Sequence, residues 1–319
     1  MHDVIPSQVR QVEFTLLQYQ LQFEADFEFS LATLLQLRRE LRQAIGLSGV
    51  AESQRRQLLA LIDPPNLTDP VARRRFRKPS PGFVLQSPER LPQSLSAGDE
   101  ITLPVLFLGR ARNQIILFTE LLQALGLSGI AGGEGPFSLQ SIRVEGPSPR
   151  QTIWTSEASL VHLSVPYQDL GWWLDQRQVG ETLIWSIETP ARLMKQHKPL
   201  FHAGFSELFP FALRRVTSML YAWGGCELAN NPSELLLAAD SVTTVHVDLH
   251  WRDWRVLDGS PQRQELGGLC GKVELAGDQL ASIGWILQLL ELFNLGKGAA
   301  YGAGQCVIRA GKTGCQTAD

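Results

Sequence analysis

Cysteine is scarce in this chain of 319 residues, and the four present (Cys226, Cys270, Cys306 and Cys315) never form a CxxC pair. Four scattered cysteines without a CxxC pair argue against structural zinc and against a disulfide framework, and the pattern fits a reducing compartment. Long apolar runs are missing too. No window reaches the ~18 uncharged apolar residues of a membrane span, and the first 30 residues lack the basic-then-apolar pattern of a secretion signal. A cytoplasmic protein with no membrane partner is therefore expected. Excess positive charge is also absent: the net charge of −3 counts mildly against polyphosphate ligands, although local distribution matters more than the sum. Histidine is rare, with six in all and none between residues 13 and 60.

Glycine is abundant and unevenly placed. The stretch LELFNLGKGAAYGAGQCVI (290–308) ends an apolar helical run, passes through four glycines in nine residues and enters a strand-like run. A similar turn, GLSGIAGGEG (126–135), follows an earlier apolar helix. Around these turns the chain reads as two halves of the same order. In the first, QVEFTLLQYQLQFE (11–24) is a strand and SLATLLQLRRELRQAIGLSG a helix with Ser30 as N-cap. A polar Pro/Arg-rich insertion (63–82), the strand 100–109, the helix 113–129 and the strand 136–144 follow. In the second, the strand 182–193 leads to a helix at 205–225, strands at 242–251 and 267–277, a helix at 283–296 and a last strand at 303–310. A β-α-β-β-α-β order predicts an α+β protein of two tandem ferredoxin-like (RRM-like) domains. The expected limits are 1–146 and 181–319, with 147–180 between them, where Gly, Pro and Ser cluster at 145–152.

The glycine loop is neither of two familiar motifs. GxxxxGK[ST] opens a helix, and GxGxxG runs from strand to helix, whereas Gly296-Lys297-Gly298 leaves a helix for a strand. Such a loop can still offer backbone N–H groups to phosphate, with Lys297 supplying charge and Tyr301 a stacking surface. A tight packing turn is the alternative.

Four segments carry a resemblance. Residues 81–144, from PGFVLQ through LFLGRA and a helix to GEGPFSLQSIRV, come first. IETPARLMKQHKPLFHAGFSELFPFALRRVTSMLYAWGG (187–225), LHWRDWRVLDGSPQRQELGGLCGKVELAG (249–277) and GKGAAYGAGQCVI follow in order. Together they resemble the CRISPR-associated precursor-RNA-processing endoribonucleases of the RAMP superfamily. The resemblance implies two ferredoxin-like domains with repeat RNA on a basic surface between them, and further CRISPR effector subunits as possible partners. It also implies cleavage with no cofactor, by attack of a ribose 2′-OH on the adjacent phosphate, leaving a 2′,3′-cyclic phosphate and a 5′-OH.

Many family members carry a catalytic histidine shortly after the first strand, near the first helix, whereas residues 13–60 of this chain hold none. Either the chemistry has moved or the protein binds guide RNA without cutting. If it has moved, KQHKPLFH (195–202) is the best replacement, with His197 and His202 as acid–base groups and Lys198 steadying phosphate. RNA contacts are expected from Lys195, from the arginine-rich run Arg73, Arg74, Arg75, Arg77 and Lys78, from Arg38 and Arg42 on the first helix, and from Arg214 and Arg215 on a later one. Gly296, Lys297, Gly298 and Tyr301 complete the expected surface. On the strand VHVDLHWR, alternation puts His246, Asp248, His250 and Arg252 on one face, with Val245, Val247, Leu249 and Trp251 opposite. That polar face reads either as a solvated surface or as a remote candidate for metal or small-molecule chemistry.

Overall fold

The computed structural model describes residues 5–47, 50–76, 78–88, 91, 93–146, 150–177, 179–228, 232–254 and 266–311. Two antiparallel sheets organise it. The first half contributes β1 (Glu13–Phe23), α1 (Leu31–Leu47), β2 (Phe83–Leu85), β3 (Glu100–Leu108), α2 (Ile115–Ser128) and β4 (Phe137–Glu145). The second contributes β5 (Thr182–Ala191), α3 (Phe205–Ala222), β6 (Thr243–Trp254), β7 (Leu266–Ala276), α4 (Leu280–Phe293) and β8 (Cys306–Ala310). The first sheet runs β2-β3-β1-β4, with Gln151–Thr155 added beside β4, and the second runs β6-β7-β5-β8. Numbered within each half, both orders are 2-3-1-4, the order of a ferredoxin-like unit.

The sequence explains the faces. In β1, Leu17, Tyr19, Leu21 and Phe23 alternate into one core with α1 and α2, while Gln18, Gln20 and Gln22 lie on the opposite face. There they join an amide and hydroxyl network: Thr102 Oγ1 donates to Gln20 (2.8 Å), and Gln140 Nε2 to Gln22 (3.0 Å). Ser30 starts α1 as expected, its hydroxyl accepting the Thr33 N–H at 3.4 Å. The expected insertion at 63–82 is more ordered than its composition implies. Pro70–Phe76 forms a helix whose Pro sits at the first position, and Asp69 accepts the Ala72 N–H at 2.7 Å.

The halves exchange core residues. Phe14, Leu16, Val84, Leu106 and Leu108 of the first sheet pack with Phe205, Phe209 and Phe293 of the second half. In return, Ala300 and Tyr301 of the second half are buried in the core of the first. No helix among the described residues is long and apolar enough to cross a membrane.

Candidate nucleic-acid interface

Arg38 and Arg42 are one helical turn apart on the outer side of α1, so their side chains lie on one face. Both reach Asp63, which ends the helix Glu52–Ile62, at 3.1 and 3.7 Å, and Lys78 pairs with the same carboxylate. A hydrogen bond from Lys78 is the main reason that the Asp63 carboxyl is held below the usual carboxylate range, with the charges of Lys78, Arg38 and Arg42 adding to it. The three cations each keep about half of their side-chain surface in solvent (49%, 53% and 52%). Three cations against one carboxylate leave two net positive charges on a single patch.

The glycine-rich loop lies against the same helix. Gly298 and Gly302 bring its backbone onto Leu35 and Leu34 of α1. Between them Tyr301 plunges inward, packs edge-on against Phe83 (centroids 5.6 Å apart), and pairs its backbone with Leu85 of β2. Its hydroxyl comes within 3.5 Å of the Ile62 carbonyl, one residue before Asp63, so the cation patch stands over this anchor. Lys297, on the exposed side of the loop, bridges to Arg192 just beyond β5. From Arg192 the chain enters a small hairpin, Met194–Lys195 with Lys198–Pro199, turned by Gln196 and His197 at φ +50° and +66°. Two positive φ values in a two-residue turn match the right-handed strand twist.

Residues 186–306 match the family model described as CRISPR-associated endoribonuclease Cas6, and residues 57–165 match one described as an N-terminal domain. A Cas6 product complex superposes over 93% of this chain and 100% of its own at a TM-score of 0.53 and 12% identity. The second half thus matches the Cas6 family model, and the whole chain shares the Cas6 fold. A Cas6 from Thermus thermophilus gives a TM-score of 0.52 at 14% identity, covering 93% of this chain and 99% of its own. A partial Cas6-RT-Cas1–Cas2 complex covers 98% of this Cas6-type chain at a TM-score of 0.60 and 16% identity. The chain spans 48% of that protein, and 30% of a second such complex. Among curated protein sequences none matches.

Within this Cas6-type fold the exposed site residues that were expected separate into two groups. Arg38, Arg42 and Lys78 gather above the loop formed by Gly296, Lys297 and Gly298, and the hairpin bearing Lys195, His197 and Lys198 continues from it. Lys195 pairs with Glu207 at 3.0 Å, while His197, Lys198 and His202 are exposed. A second group stands apart. Arg73, Arg74 and Arg75 are exposed on the helix Pro70–Phe76, which is anchored by Phe76 against Tyr221 of α3 (5.4 Å). Arg214 lies exposed over the Phe211 ring, and Arg77 falls outside the described residues.

Two expectations are corrected. Tyr301 is only 4% exposed, so it is no stacking surface for RNA. Burial also pushes its hydroxyl pKa up, which removes any use as a base. Arg215 is buried and belongs to no surface track: its guanidinium donates twice to the Phe293 carbonyl, at 2.7 and 3.0 Å, and burial pushes its pKa down to about 10. The bonds have a clear purpose. The last carbonyls of a helix have no partner within it, and at the end of α4 Arg215 takes Phe293 while Gln86 Nε2 of the first half takes Leu292 (2.9 Å) and Glu291 (3.2 Å). Asn294, just past the helix, donates to Leu85 and Ala299.

On β6, none of the four residues opposite His246, Asp248, His250 and Arg252 is fully buried: Leu249 and Trp251 are half-buried, and the other two are exposed. β6 is an edge strand with a bulge between Thr244 and His246, leaving Val245 59% and Val247 39% exposed. Among the described residues no three His, Cys, Asp or Glu side chains are grouped to hold a metal. Sequence reasoning missed Asp63, Gln86 and Asn294. Pro64 and Pro65 after Asp63 signalled a helix end, and Asn294 after an apolar helix signalled a C-cap.

Proposed function

We propose that this chain binds CRISPR repeat RNA along the seam between its two halves and cuts the precursor transcript there without metal. The observation carrying this reading is the patch of Arg38, Arg42 and Lys78 above the glycine loop that joins the halves. A track leading from it through Lys297 to the His197 hairpin would follow a phosphate backbone, and exposed Arg and Lys supply the affinity. The cutting step needs a base to take the 2′-OH proton as that oxygen attacks phosphorus. It also needs an acid to protonate the departing 5′-oxygen, yielding a 2′,3′-cyclic phosphate and a 5′-OH. His197 and His202 take these roles, and Lys198 balances charge on the pentavalent phosphate. The protein works in the cytoplasm as two ferredoxin-like domains, 1–146 and 181–319, alongside other CRISPR subunits.

A second reading, a guide-RNA holder that does not cut, is favoured by a specific observation. No histidine lies in residues 13–60, and among the described residues neither His197 nor His202 has a carboxylate or carbonyl partner to orient it. Incubation with cognate repeat RNA in EDTA separates the two. The expected result is one cut per repeat with a cyclic-phosphate end, and a His197→Ala/His202→Ala variant that binds normally but cuts at least ~10²-fold more slowly. Undiminished cutting by the variant removes these residues from the reaction. Tight binding by the wild type with no cutting leaves the holder.

A further inference from the structure

The pairing of Phe201 with Trp251 carries an inference beyond the cation track. Trp251, near the end of β6, lies flat across Gly267 on neighbouring β7, where any Cβ would come within 2.6 Å of the indole. Its Nε1–H donates to Asp253 at 2.7 Å, fixing the ring in its own plane. Phe201 packs on it with centroids 4.5 Å apart and planes inclined by 51°, and nevertheless leaves 49% of its own surface in solvent. The Leu200 N–H donates to Leu193 O (3.0 Å), which closes the hairpin base and returns Phe201 beside Arg192 and its bridge to Lys297.

We propose that Phe201, backed by Trp251, is a stacking platform for one unpaired base of the RNA, the role that buried Tyr301 cannot fill. This rests on the RNA-binding reading above. Charge complementarity selects the occupant. Exposed His202 and Arg252 adjoin the pair, exposed His197 and Lys198 sit on the hairpin that leads to it, and the neighbouring Asp253 carboxylate is engaged by the indole. A single half-open ring is far smaller than the ~1,000 Å² that a stable protein interface needs, but it matches one nucleobase face. Backing by a second, immobilised ring lets Phe201 bind without losing much side-chain freedom, and base–aromatic stacking tolerates any base identity.

The test measures affinity for cognate repeat RNA by wild type and by Phe201→Ala, Phe201→Leu and Phe201→Tyr, using RNAs with an abasic site walked along the sequence. Because Phe201 is half exposed, Phe201→Ala should keep the wild-type melting curve. Phe201→Ala and Phe201→Leu are expected to bind about tenfold more weakly, and Phe201→Tyr like wild type. One abasic position should weaken wild type by the same factor and leave Phe201→Ala unaffected. Wild-type affinity in Phe201→Ala, or equal abasic penalties in both proteins at every position, overturns the platform and leaves the RNA reading standing. No RNA binding by the wild type overturns both.

Discussion

The two glycine-rich loops read alike in sequence and do different work. The first, between α2 and β4, closes on its own half. Ile130 pairs with Gly135 across the turn, and Ala131 and Gly132 approach Glu40 of α1. The second leaves its own half altogether, crossing to α1 and β2 and burying Tyr301 in the other core. Both meet the same helix. Composition sets how tightly a chain can bend, whereas the destination depends on the one large side chain carried at the bend: Tyr301 in the second loop, and nothing larger than Ile130 in the first.

The comparison breaks most severely at Tyr301. Tyr301→Ala is expected to cost about 4 kcal/mol in urea unfolding, as for other buried rings. Ile130→Val in the first loop should cost about 1 kcal/mol. Near-equal losses would mean that the second loop carries no special packing between the halves. Glycine substitutions sharpen the contrast next. At Gly304 (φ +62°) a Cβ would lie 1.8 Å from the Leu295 carbonyl oxygen, whereas at Gly132 (φ +78°) it would meet open space. Gly304→Ala should therefore cost about 3 kcal/mol, from the left-handed backbone and the overlap together, and Gly132→Ala only about 1 kcal/mol.

The smallest effect concerns Glu40, buried beneath the first loop with the Ala131 and Gly132 backbone approaching its carboxylate. Burial raises its pKa, opposed by the nearby Ala131 and Gly132 backbone and by Arg39. The folded state therefore holds this proton more tightly than the unfolded chain does. Stability falls as pH rises from the ordinary carboxylate range through the raised value. Glu40→Gln should stabilise the protein by on the order of 1 kcal/mol at neutral pH, with the gain vanishing in acid. A thermal-melt series against pH checks the sign, and a gain that persists in acid would assign the effect to something other than charge.

The paired sheets were legible because their strands alternate over long stretches: β1 and β5 declare one face at every second residue. The Arg214–Arg215 pair also held its own answer. Neighbours on a helix point about 100° apart, and Arg215 lies three residues after Ala212 and four before Met219, both buried on the apolar stripe. Only Arg214 could face solvent. The helix Pro70–Phe76 was obscured by its charge density, although Asp69 followed by proline is a helix-start signal. Tyr301 was not legible. A tyrosine among glycines has no periodicity to place it, and its burial depends on Phe83, more than two hundred residues earlier.

The reciprocal exchange of core side chains also bears on synthesis. Domains made in sequence commonly fold as each emerges. Here the first half lacks two buried residues of its own core, Ala300 and Tyr301, until the chain has been made through residue 301. Its sheet also exposes Phe14, Leu16 and Leu106 until α3 and α4 arrive to cover them. A nascent first half is therefore an apolar, incomplete body until residue 301 has been added and α3 and α4 have closed over it.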